Sequence, residues 1–112
     1  MKLTVIIPAY NECQSIEKIV NKVIQTNLDL QIIIVDDCST DGTREILIKK
    51  FKNLVDEIIL HDKNLGKGAA IKSAQKKIEG DCVIIQDGDL EYDPSDYHNL
   101  IKPIISGNFQ VV

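Results

Sequence analysis

The sequence predicts a doubly wound α/β domain on a mostly parallel sheet, and three observations carry the prediction. Runs rich in Ile and Val recur four times, helical stretches separate them, and each run gives way at its carboxyl end to polar residues. Strands apolar at consecutive positions suit the centre of a parallel sheet covered on both faces. Strand and helix in alternation is the pattern of right-handed βαβ crossovers.

The elements follow in order. LTVII, residues 3–7, is the first strand. In SIEKIVNKVIQ, residues Ile16, Ile19, Val20, Val23 and Ile24 recur at i, i+3, i+4, i+7 and i+8, which makes one face of an amphipathic helix. QIIIVD, residues 31–36, is the second strand, and a shorter helix runs from about Thr43 to Phe51 after STDGT. EIIL, residues 57–60, is the third strand. The next helix sets Ala70, Ile71, Ala74 and Ile78 on one face before Gly80 ends it. CVIIQ, residues 82–86, is the fourth strand. A last helix takes Asp93 as its cap and Pro94 at its first position, turns Leu100, Ile101, Ile104 and Ile105 inward, and bends near Pro103. FQVV then begins a fifth strand, and a strand begun so near Val112 leads to the expectation that the domain continues past it.

Length and composition bound the function. The 112 residues predict one domain, and 44% apolar with 27% charged residues is an ordinary globular balance. Seventeen acids against 13 bases give a formal charge of −4, which supplies no basic field for a nucleic-acid backbone. The cluster KKFK, Lys49 to Lys52, reads as a solvated helix end. Cys13, Cys38 and Cys82 are odd in number and lack ligand spacing, so neither a disulfide framework nor a zinc site is indicated and a cytoplasmic location is expected. No run approaches the ~20 apolar residues of a membrane span, so attachment to the cytoplasmic face of a membrane would need segments outside this chain.

In doubly wound sheets ligands bind beyond the carboxyl ends of the strands. Here those ends lead into PAYNE, DDCSTDGT, HDKNLGKG and DGDLEYDP. The last of these crowds Asp87, Asp89, Glu91 and Asp93 onto alternating positions, where like charges repel by about 1 kcal/mol per pair at 4 Å even in water. It is not an EF-hand, because Tyr92 stands where the turn glycine belongs and His98 where the bidentate Glu belongs. No GxGxxG follows the first strand, and NLGKGAA lacks the glycine spacing and the Ser or Thr of a phosphate loop. What remains is acid, glycine, acid at a strand end, a set of hard oxygen ligands for Mg²⁺ or Mn²⁺ with Gly88 allowing close approach. One or two carboxylates would leave coordination positions for a diphosphate. His61 and His98 have no partner at ligand spacing and are expected to be surface or packing residues, as are Tyr92 and Tyr97, while Cys82 is expected to be buried.

The segments VIIPAYNE, IIIVDDCSTDGT, NLGKGAAI and IIQDGDLEYDP, in this order and spacing, resemble the successive signatures of family 2 glycosyltransferases of GT-A fold. The likeness is greatest to the dolichyl-phosphate and polyprenyl-phosphate sugar transferases. The resemblance spans nearly all of the chain and implies a nucleotide-sugar-binding domain over 1–112. It implies that Pro8, Ala9, Tyr10 and Glu12 line the nucleotide pocket, with Tyr10 against base and ribose, and that Ile34 and Asp36 meet the base. An ionised Asp36 only accepts, which suits a ring N–H of uracil or guanine. Lys67 would contact the nucleotide or cap the helix it begins. Asp87 would bind the ribose or the metal shell, Gly88 would offer backbone, Asp89 would be the principal metal ligand and catalytic residue, and Glu91 a second ligand.

The implied reaction is an inverting transfer from a UDP- or GDP-sugar to an acceptor, with a polyprenyl phosphate as the acceptor of that branch. A nucleotide-binding module or regulatory half without transfer activity is the alternative. A sugar nucleotidyltransferase is disfavoured, because its glycine-rich, arginine-bearing loop after the first strand is missing. One departure from the family pattern is Cys38 where glycine is common. If that position needs positive φ, cysteine strains it by ~1 kcal/mol.

Overall fold

A computed structural model describes residues 3–26, 29–80 and 82–86. The four predicted strands are present as β1 (Leu3–Ala9), β2 (Leu30–Asp36), β3 (Glu57–Leu60) and β4 (Cys82–Ile85), all parallel and in the order β3-β2-β1-β4. Between them stand α1 (Ile16–Ile24), α2 (Thr43–Ile46), which continues as a π-helical turn over Leu47–Phe51, and α3 (Lys67–Gln75). The predicted last helix, with Asp93 and Pro94, and the fifth strand lie outside the described residues.

Alternation along the strands divides the core in two. Leu3, Val5, Ile7 and Ala9 of β1 join Ile32 and Ile34 of β2 and Cys82 and Ile84 of β4 on one face, against Ile16, Ile19, Val20 and Val23 of α1 and against Leu47 and Phe51. Ile6, Ile33, Val35 and Val83 point the other way, onto Ala70 and Ala74 of α3. Both faces are covered, so the strands had to be continuously apolar. Each fully buried Ile or Val stabilises the fold by ~1.5–3 kcal/mol.

The chain steps outward from β1 through β2 to β3, then returns to the far side of β1 for β4. Crossovers of one hand in opposite directions place their helices on opposite faces, as α1 and α2 lie against α3 here. The reversal falls between β1 and β4, so the ligand crevice of this topology opens between their carboxyl ends.

Two boundaries differ from the sequence prediction by more than one residue. β1 extends through Pro8 and Ala9, in register with Val35 and Asp36. The Gln86 amide donates to the Ile6 carbonyl, so even-numbered β1 residues face β4. Pro8 is the next of these and has no N–H to offer, which ends donation from β1 toward β4 at the crevice.

The third helix ends at Gln75, short of Gly80. A buried polar network captures the chain that follows: the Gln31 amide donates to the Lys77 carbonyl (2.6 Å), the Gln31 carbonyl oxygen accepts from the Glu79 amide (2.7 Å) and the Thr4 hydroxyl (2.8 Å), and Thr4 Oγ1 accepts from the Gly80 amide (3.0 Å). Thr4→Val keeps the shape but strands the Gly80 N–H, and should cost ~1–3 kcal/mol. A urea melt checks this as a lower midpoint at unchanged slope.

Candidate functional site

Three loops and the end of β4 meet at the carboxyl rim. The loops after β1 and β2 are stitched together: the Asn11 amide donates to Ser39 Oγ (3.0 Å), Asn11 Oδ1 accepts from the Thr40 amide (2.8 Å), the Glu12 amide donates to Thr43 Oγ1 (2.9 Å) and the Cys13 amide to Asp41 Oδ2 (3.1 Å). Asn11 and Cys38 have φ of 51° and 63°. Asparagine tolerates the left-handed region, whereas cysteine does not favour it, so the strain expected at position 38 is present.

Asp41 anchors this stitch. Burial opposes its charge, but the Thr43 hydroxyl, the Cys13 amide and the Thr43 amide outweigh it and lower its pKa from 3.8 to about 2. The hydrogen bond from the Cys13 thiol to that carboxylate raises the thiol's pKa, so Cys13 is a poor thiolate. A carboxyl depressed by folding contributes stability above its unfolded pKa and loses it as pH falls through the folded value. Asp41→Asn should therefore flatten the fall in stability between pH 3.8 and about 2, measured by denaturant melts across that window.

Asp36, at the tip of β2, is fully buried. Its Oδ2 accepts from Arg44 Nε (2.9 Å) and from the Ser39 amide (3.1 Å). Its Oδ1 is buried and has no hydrogen-bond partner among the described residues. A carboxylate oxygen in that condition is costly unless a donor arrives from outside.

Asp37, also buried, points the other way. Oδ1 accepts from His61 Nδ1 (2.8 Å) and the Leu65 amide (2.8 Å), and Oδ2 accepts from the Gly66 amide (2.8 Å). Burial opposes its charge too, yet the His61 ring and the two amides prevail and hold the carboxyl below its ordinary pKa. The far nitrogen of His61, Nε2, meets Ser73 Oγ of α3 at 2.8 Å. His61 is therefore buried, in keeping with the packing role expected of it, and its ring makes a polar link that its sequence context did not signal.

The residues expected in the nucleotide pocket divide into three groups. Tyr10, 45% exposed, stands at the rim just past β1, Glu12 is half-buried ahead of the turn that leads into α1, with its carboxylate accepting from the Ser15 hydroxyl (3.3 Å), and Lys67 is exposed at the first position of α3. Pro8 is buried in β1 facing the crevice side, and the side chains of Ala9 and Ile34 are committed to the core beneath the rim. Asp87, Gly88, Asp89 and Glu91 lie outside the described residues, which reach the rim at Gln86, beside Ile6.

A family model for glycosyl transferase family 2 matches residues 4–112. The chain belongs to glycosyl transferase family 2. Among curated relatives of this family 2 chain is an undecaprenyl-phosphate 4-deoxy-4-formamido-L-arabinose transferase of Photorhabdus laumondii, 32% identical over 95% of this chain and 34% of the relative. A dolichol-phosphate mannosyltransferase of Pyrococcus furiosus is 31% identical over 96% of this chain and 31% of the relative. The chain thus spans about a third of the length of these curated relatives. Solved structures agree in fold: S. aureus TarS with UDP-GlcNAc has a TM-score of 0.76 at 28% identity, over 89% of this chain and 30% of that one. The mannosyltransferase PcManGT of Pyrobaculum calidifontis, with GDP-Man and Mn²⁺, has a TM-score of 0.73 at 28% identity, over 84% and 29%. The expected GT-A architecture and the polyprenyl-phosphate branch are both borne out.

Sequence reasoning missed the stitching residues Asn11, Ser39, Asp41 and Thr43, the Arg44–Asp36 ion pair and the Asp37–His61–Ser73 link. The Asx and Ser/Thr content of DDCSTDGT signalled local turns, but the pairing across 28 or more positions depends on the two strand tips standing side by side.

Proposed function

We propose that this chain binds the donor in a glycosyltransferase that moves a sugar from a UDP- or GDP-sugar to a polyprenyl phosphate, with inversion, at the cytoplasmic face of a membrane. The observation that carries the reading is the buried Asp36 Oδ1, which has no partner among the described residues, at a rim where three motif loops meet. Relatives named for polyprenyl-phosphate sugar transfer, and neighbours bound to UDP-GlcNAc or to GDP-Man, support it.

In this reading Tyr10 stacks on the base, the rim being where an aromatic face is free to do so. Asp36 Oδ1 accepts the ring N–H of uracil or guanine. Glu12, pinned through its amide to Thr43, borders the ribose, and Lys67 offers its ammonium to the nucleotide.

Among the described residues no cluster of three or more His, Cys, Asp or Glu could hold a metal ion. The proposed ligands Asp89, Asp87 and Glu91 come directly after Gln86, where the chain reaches the crevice, and their hard oxygens fit Mg²⁺ or Mn²⁺. The bound ion would neutralise charge on the departing diphosphate.

A phosphate oxygen of the acceptor attacks the anomeric carbon from the face opposite the diphosphate. The bond to the nucleoside diphosphate breaks with its electron pair, and configuration inverts. The acceptor is already anionic, so no strong general base is required of this chain.

A nucleotide-binding module without transfer activity is the second reading. Thermal melts with a panel of nucleotide-sugars, with and without Mn²⁺, test what the two share, since a ligand that binds the folded state raises the transition temperature. Stabilisation by a UDP- or GDP-sugar is expected, and none by any member of the panel would overturn both. Sugar transfer to polyprenyl phosphate separates them.

A further inference from the structure

We infer that His61 is a positioning residue for donor binding, and that through the Asp37 carboxylate it fixes the β3–α3 loop and the start of α3 over the tip of β2. The inference rests on the proposed nucleotide-sugar site and adds to it a residue that carries no charge to the ligand.

His61 ties four pieces of the rim together. Its amide donates to the Asp36 carbonyl (2.9 Å) and its own carbonyl accepts from Arg44 Nη2 (2.6 Å), which joins it to the tip of β2 and to α2. Its ring joins Asp37 to Ser73, so it also bridges β2 and α3. The Asp37 oxygens hold the amides of Leu65 and Gly66, the last two residues before Lys67. Gly66 enters the helix at φ 95°, a conformation side chains rarely adopt, so the two anchored amides hold a turn that glycine makes without strain.

The proton positions follow from the partners. Asp37 accepts, so Nδ1 carries the hydrogen, and Nε2 shares its hydrogen bond with the Ser73 hydroxyl, a group able to donate or accept. Without the ring, the Asp37 carboxylate keeps the two loop amides but loses the group that fixes its own orientation. A donor nucleotide would then have to order the loop as it binds, which weakens affinity.

Two isosteres separate the halves of the ring. Asparagine sets an amide N–H where Nδ1 stands and keeps the Asp37 link, whereas glutamine reaches the place of Nε2 and keeps only Ser73. Binding of UDP and GDP with Mn²⁺ is measured by calorimetry on the full chain, alongside hydrogen exchange at the Leu65 and Gly66 amides. His61→Gln should weaken nucleotide binding about tenfold and speed exchange at both amides, while His61→Asn stays within about twofold of wild type on both readouts. If the wild type binds a nucleotide and folded His61→Gln binds it equally well, the inference falls while the donor site stands. Equal losses in His61→Asn and His61→Gln would also overturn it, since a general packing role would then explain both. If the wild type binds neither nucleotide, the donor reading itself fails and the inference with it.

Discussion

Asp89→Ala is expected to abolish the Mn²⁺ dependence of nucleotide binding while leaving the helix content of the chain unchanged. Four carboxylates on alternating positions repel one another, and a divalent cation shared with a diphosphate would offset that repulsion. Asp89 follows Gly88 in the acid, glycine, acid motif just beyond β4, and β4 is the strand that borders β1 at the topological switch. Loss of even an outer partner of a metal site lowers metal affinity 10- to 100-fold, so loss of the principal ligand should remove at least about 100-fold of the metal-linked affinity. The core is built from other residues, so circular dichroism should not change. Calorimetric titration of UDP and GDP with and without Mn²⁺ measures the effect, and an unaltered Mn²⁺ dependence in the mutant would remove Asp89 from the metal site.

The second large effect is expected at Asp36. Asp36→Asn should weaken recognition of the base by ~1–3 kcal/mol, because an N–H donor buried against Oδ1 loses a charged acceptor. The same substitution weakens the ion pair with Arg44, which is 2.9 Å long with the carboxylate fully buried, so affinity alone would mix two causes. A ring-methylated nucleotide isolates the one of interest. The preference of the wild type for UDP over N3-methyl-UDP, or for GDP over N1-methyl-GDP, should collapse in Asp36→Asn and survive in Asp37→Asn. Collapse in Asp37→Asn with survival in Asp36→Asn would transfer base recognition to the neighbouring carboxylate.

Much of the fold was legible because the strands are buried on both faces. Continuous Ile and Val in QIIIVD can only be satisfied in the middle of such a sheet, and Ile33 and Ile34 do point to opposite clusters. The face of α1 was equally plain, with Ile16, Ile19, Val20 and Val23 all buried. The end of α3 was less so, because Gly80 is a good local stop signal but Gln31 and Thr4, distant in sequence, take over the backbone from Lys77 onward.

At the site, the convergence of the loops after β1, β2 and β3 with the end of β4 followed from strand polarity. What each carboxylate does there did not, because Asp36 and Asp37 are adjacent and alternate across the sheet. One faces Arg44 and the other His61, and only the packing of α2 and α3 decides which side chain each meets. Likewise Ile34 carries a family motif yet serves the core, since it shares the Asp36 face of β2 but lies two residues deeper, where its side chain is fully buried.

The central claim is that the acidic end of β4 and the β1 rim hold one cation and one nucleoside diphosphate between them. Diffraction from crystals of the chain grown with Mn²⁺ and UDP or GDP, recorded at the manganese absorption edge, tests it most directly. The account predicts an anomalous peak bonded to an Asp89 carboxylate oxygen and to the diphosphate, with the base beside Tyr10 and Asp36. A nucleotide bound elsewhere, or bound at the rim with no manganese at Asp89, would contradict it.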